Sequence, residues 1–170
     1  MVKISFSHKF IKEVITLFRK KSLKEIFFGK KVDLIAREDE VIYWLKEHDE
    51  EFRKSGGRKG AFVKIDPIHK GIGMAYLLPN KLGNDKTESL ILFDGDTNIT
   101  VGPDLWVYLS VNEDIKKNGL GEHLRLMLLK GNQGGQTYMV NKSLAELQKY
   151  KSVVVWCKQF EVLFTYATLF

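Results

Sequence analysis

The 170 residues contain one cysteine, Cys157, so no disulfide can form within the chain and a disulfide-stapled framework is excluded. Histidine is also scarce. His8, His48, His69 and His123 are scattered, and with a lone cysteine they give none of the paired spacings of a structural zinc site, so no protein-built metal site is expected. Long apolar runs are missing too: the longest, such as residues 153–157, are about one strand long, against the roughly 18 to 20 residues of a membrane-spanning helix. Lys12, Glu13 and Arg19 leave only residues 14–18 between charges, too few for the apolar core of a signal peptide. The sequence therefore reads as one with no export signal or transmembrane segment, cytoplasmic as written. The glycine-rich stretch 130–136 lacks the Gly-Lys-Ser/Thr ending of a phosphate loop and precedes a strand rather than a helix, so a tight strand connection is expected there. Nor do the residues offer a nucleophile, base and orienter in a recognisable arrangement, which speaks against a turnover enzyme.

What is present is an ordinary globular composition, 44% hydrophobic and 28% charged, with an uneven charge distribution. Of the net charge of +6, residues 1–31 carry +7, residues 32–55 carry −4 and the remainder +3. The basic segment admits a peripheral contact with an anionic membrane surface through residues 1–31. No aromatic-interleaved groove or named motif accompanies it, so nucleic acid is not an expected partner.

Residues 1–55 read as helical. Phe10, Ile11, Val14, Ile15, Leu17 and Phe18 recur at helical spacing, Ser22 and Glu25 make a capping-box pattern, and residues 38–54 carry a stripe of Val41, Trp44, Leu45, His48 and Phe52. At Gly56-Gly57 the apolar period drops to two. Residues 60–66, 71–78, 88–94, 104–111, 123–130, 136–140, 152–157 and 160–168 read as strands with turn residues between them. The expected fold is mainly β: an antiparallel β-sandwich or barrel of about eight strands over residues 58–170, preceded by a helical extension over residues 1–57. The stretch 102–110 organises it. Pro103 fixes a turn that the Asp104 carboxylate can close, then Leu105, Val107 and Leu109 point to one face and Trp106 and Tyr108 to the other. Both faces are apolar, as in a central strand.

Several pieces resemble a known family. They are Gly60-Ala61-Phe62 with Asp66, His69, Gly71 and Gly73; the whole of residues 102–110; Leu129-Lys130-Gly131-Asn132 with Gln136 and Tyr138; and residues 152–160 with Phe164, Ala167 and Leu169. In this order they are similar to the DM-thirteen domain, a small all-β module found in bacterial proteins and, beside DOMON domains, in animal cell-surface proteins. The likeness covers about residues 58–170. Thr165 stands where that family usually has glycine and Gly135 where it commonly has an acid, so the family's local turn geometry is not carried over at those two places, while the fold is.

The resemblance implies an electron-transfer role centred on Cys157, acting as a free thiol or as a ligand to a prosthetic group such as haem. His69 is the only histidine within the matching pattern that could join it. The residues themselves also permit a plainer reading. Cys157 alternates with Val153 and Val155 and should share their buried face as a small inert hydrophobe, while Lys158 points the other way. His69, close after Pro67, suits a turn. The competing function is thus a binding or interaction domain with a buried structural cysteine. In it Trp106, Tyr108, Trp156 and Phe160 are core, and the helices dock on the sandwich or on a protein partner.

Overall fold

The computed structural model describes residues 43, 45–79 and 88–170. The first two expected helices, and Val41 and Trp44 of the third, lie outside the described residues. Ten strands follow a short helix α1, Asp49–Lys54. They are β1 Arg58–Ala61, β2 Gly71–Ile72, β3 Met74–Pro79, β4 Ser89–Phe93, β5 Asn98–Ile99, β6 Leu105–Ser110, β7 His123–Leu128, β8 Gln136–Val140, β9 Ser152–Cys157 and β10 Val162–Thr168. Two one-turn helices, α2 Ile115–Asn118 and α3 Leu144–Leu147, interrupt them. All strand pairs are antiparallel. One four-stranded sheet runs β1-β3-β4-β8, the other β10-β9-β6-β7, and β2 pairs with β5 in a two-stranded ribbon.

The sheets face each other across one core. Leu77, Ile91, Phe93, Tyr138 and Val140 from the first meet Leu105, Val107, Leu109, Val153, Val155, Cys157, Phe164 and Ala167 from the second. The alternation read along residues 105–109 is the alternation observed: the odd-numbered residues enter this core, and Trp106 and Tyr108 join Ile115, Val154, Trp156, Leu163 and Tyr166 on the outer face. Since β6 is hydrogen-bonded on both sides and covered on both faces, its unbroken apolar run is what a central strand requires.

Along one side the sheets are stitched together. The Lys59 and Phe170 backbones exchange hydrogen bonds of 3.2 and 3.0 Å, Phe62 bridges to Ala167, and Val63 N–H donates to Tyr166 O at 3.0 Å. On the other side the backbone N–H of Lys130 donates to the Tyr138 hydroxyl and its ammonium to Thr137 O. The structure thus combines sandwich and barrel, closed by backbone pairing at the β1/β10 seam. Outside the first sheet Leu45 and Phe52 cover Tyr76, Leu78, Leu90 and Leu92. Helix α1 stops where Gly56 takes φ +84° and its N–H bonds Arg53 O, a left-handed ending that glycine accepts without strain.

The differences from expectation are local. The expected strand 71–78 is split by Gly73, whose φ of +100° lets the chain pass beneath Asp94 and Thr97. The ribbon strand β5, two residues long, is too short to carry an alternation, and so are the single turns α2 and α3.

Candidate functional site

The turn that opens β6 holds Cys157 on one side and Trp106 on the other. Cys157 ends β9 in register with Leu105 of β6 and Val162 of β10, and is fully buried. Its thiol donates to Pro103 O, with Sγ 2.9 Å from the oxygen. Asp104 is one of two non-glycine residues with positive φ among the described residues, at +49°, and its carbonyl accepts from Lys158 N–H at 3.0 Å. Its carboxylate does not close the turn on the backbone as expected. Oδ1 instead accepts the indole N–H of Trp106 at 2.7 Å. Over the Trp106 ring lie two cations, the Arg125 guanidinium 4.9 Å and the Lys158 ammonium 5.6 Å from its centroid. Lys158 therefore does project away from the sulfur, as strand alternation requires.

His69 is held by a turn of its own. Asp66 Oδ1 accepts from the backbone N–H groups of Ile68 at 2.7 Å and His69 at 2.6 Å, and Oδ2 lies 2.7 Å from His69 Nδ1. The imidazole bond, joined by the backbone donors, holds the Asp66 carboxyl down at about 2. An ionised carboxylate only accepts, so Nδ1 carries the hydrogen. The imidazole stacks edge-on to Phe164, ring centroids 4.6 Å apart, and the Phe164 ring in turn presses on Gly102, where a β-carbon would lie 2.3 Å from Cζ. His69 and Cys157 thus sit at the same end of the sandwich, with Phe164 and the Gly102–Pro103 backbone between them. Among the described residues no hydrogen bond or ring contact joins the two directly.

The Asp66 turn makes stability depend on pH. A carboxyl held below its ordinary 3.8 stabilises the fold fully above that value, and the contribution fades as pH falls towards about 2. Urea midpoints of wild type and Asp66→Asn should differ above about pH 4 and converge as the pH falls to about 2. A gap unchanged across that window would show that the Asp66 charge does not stabilise the fold.

The surroundings of the sulfur bear on a prosthetic group. An axial ligand must present its atom to a cleft wide enough for the macrocycle, but Cys157 Sγ is enclosed within the inter-sheet core and already directed at a carbonyl. His69 faces Asp66 and Phe164, not the sulfur. The two do not fit a haem between them, and among the described residues no group of three or more His, Cys, Asp or Glu could hold a metal ion. Of the aromatics expected in the core, Tyr108 is buried, Trp106 and Trp156 are half-buried on the outer face, and Phe160 is 62% exposed. Phe160 lies in the turn between β9 and β10, where alternation no longer fixes direction. The bond from Trp106 to Asp104 and the two cations over the ring were missed. An Asp-x-Trp spacing at a turn is the only local signal of the first, and nothing in the sequence signals the second.

Comparison with known proteins gives one family. Residues 69–169 match the family model described as Electron transfer DM13. No curated protein and no solved structure matches the chain significantly.

Proposed function

The chain belongs to the DM13 electron-transfer family, and from that premise we propose that it passes single electrons by outer-sphere exchange, with Cys157 as its redox group. The observation that carries this reading is the contact of Cys157 Sγ with Pro103 O beneath a turn whose Pro103 and Asp104 are exposed. Burial keeps the sulfur from touching a partner, which opposes thiol–disulfide exchange and metal ligation, both of which need an accessible thiolate. An electron needs no such contact. It can cross one backbone turn to an oxidant carried by a partner. The S–H proton that the oxidised sulfur sheds passes to water at the exposed Pro103–Asp104 turn and leaves a thiyl radical enclosed in the core.

A second reading is favoured by a separate observation. Met127 and Leu128 on the edge strand β7 and Phe160 in the β9–β10 turn are exposed apolar side chains, and an interaction domain would offer them to a protein partner with Cys157 as filler. Titration with small outer-sphere carriers separates the two. With carriers too weak to oxidise an indole, the wild type should exchange a single electron per chain and Cys157→Ala none. Equal exchange by both proteins, or none by either, would favour the interaction domain.

A further inference from the structure

We infer that Trp106 is a proton-coupled redox residue and Asp104 its proton acceptor, forming the port through which an electron leaves this domain. The inference rests on the electron-transfer reading, though not on the cysteine. Removing an electron from an indole makes its N–H strongly acidic, so the fate of that proton decides whether the oxidised residue is a cation or a neutral radical. At Trp106 both neighbouring features push the same way. Arg125 and Lys158 lie over the ring at 4.9 and 5.6 Å, where their charges oppose a positive indole. Asp104 Oδ1 lies 2.7 Å from the indole nitrogen, along the bond that must break.

Asp104 is held for this task by its backbone. Its φ of +49° and the bond from Lys158 N–H to its carbonyl fix the turn, and its exposure lets water remove the proton afterwards. Trp156 stands directly across from Trp106 in the β6–β9 ladder, and the neighbouring pair in that ladder is Leu105 with Cys157. The indole and the sulfur therefore lie one register position apart, on opposite faces of the same strand pair.

In the oxidising step one electron passes from the Trp106 ring to a strong one-electron, outer-sphere oxidant carried by a partner, such as a high-valent metal–oxo centre. The indole N–H bond breaks and an O–H bond forms on Asp104. The products are a neutral indolyl radical, a neutral carboxylic acid and an oxidant reduced by one electron, and re-reduction returns the proton to nitrogen.

The test is flash oxidation of the full chain with photogenerated tris(bipyridine)ruthenium(III), read by transient absorption and electron paramagnetic resonance. The wild type should give a neutral indolyl radical, more slowly in D2O than in H2O. Trp106→Phe should remove it, whereas Trp156→Phe should not. Asp104→Asn keeps a carbonyl acceptor and tolerates the left-handed backbone but takes no proton, so formation of the neutral radical should slow by roughly 10²-fold or more. A radical that persists in Trp106→Phe, or a neutral radical that forms as fast in Asp104→Asn as in the wild type, overturns the assignment. Thermal melts of the variants show whether a lost signal is a lost fold; if Trp106→Phe does not fold, Asp104→Asn and the isotope effect decide. Cys157→Ala separates this inference from the reading beneath it. A longer-lived Trp106 radical in that variant makes the thiol the group that refills the indole. An unchanged lifetime removes Cys157 from the path and leaves Trp106 in place.

Discussion

Gly60→Ala is expected to destabilise the domain by about 3 kcal/mol or more, a fall of roughly 10 °C or more in Tm. A β-carbon on Gly60 would stand 1.9 Å from Thr168 O and 2.7 Å from Thr168 C. Those are backbone atoms, so no rotamer change relieves the clash and one strand must move. The strands concerned are β1 and β10, where the two sheets are joined by the Lys59–Phe170 hydrogen bonds and the Phe62–Ala167 bridge. On its other side β1 is tied to β3, with Gly60 opposite Ala75, so retreat that way strains a second ladder. Thermal denaturation followed by circular dichroism checks this. A variant melting within a degree or two of wild type would mean that the seam is not closed as described. Gly134 is a comparison position of the opposite kind: a β-carbon there would meet no heavy atom within 4 Å, but the φ of +85° means that a substitution acts through backbone strain alone.

Much of the fold is legible because sheets impose a period of two. Strands β8 and β9 span the same residues that read as strands, 136–140 and 152–157, and residues 105–109 sort to the faces that their parity dictates. What the sequence does not disclose is set by contacts between distant residues. Strand β5 exists because Gly71 and Ile72 pair with Ile99 and Asn98, and two residues cannot show a period. Thr165, which replaces a glycine common in the family, is buried at the register shift between Leu163 and Thr165, and its hydroxyl donates to Val63 O at 2.8 Å. A side chain is accommodated there because a partner more than a hundred positions earlier accepts its one polar group.

The site divides in the same way. Burial of Cys157 with Val153 and Val155 follows from alternation along one strand. The acceptor for its thiol is Pro103 O, 54 residues away, and only the pairing of β6 with β9 brings it there. His69 suits a turn on local grounds, and its Asp66 partner is three residues off, within reach of sequence reasoning. Its packing on Phe164, and that of Phe164 on Gly102, could not be foreseen from either segment alone.

In the native domain Cys157 is expected to react with a maleimide or iodoacetamide roughly 10³-fold or more slowly than in the unfolded chain, because labelling must await an opening that exposes the sulfur. The residue is fully buried in the inter-sheet core, and its hydrogen is engaged by Pro103 O. Labelling should accelerate with denaturant in step with loss of structure. Substitutions test the same environment by another route. Serine keeps a donor for Pro103 O but sets a hydroxyl among Val155, Leu105 and Phe164, at a cost of about 1 to 3 kcal/mol. Alanine gives up the donor and leaves a small cavity, destabilising by about 1 kcal/mol or somewhat more. Rapid native labelling would mean that the sulfur is reachable, and would return covalent thiol chemistry to consideration in place of outer-sphere exchange. Protection together with a single-electron response, to carriers too weak to oxidise an indole, that Cys157→Ala abolishes is the combination that the proposed function requires, since only an electron, and no reagent, can then reach the sulfur.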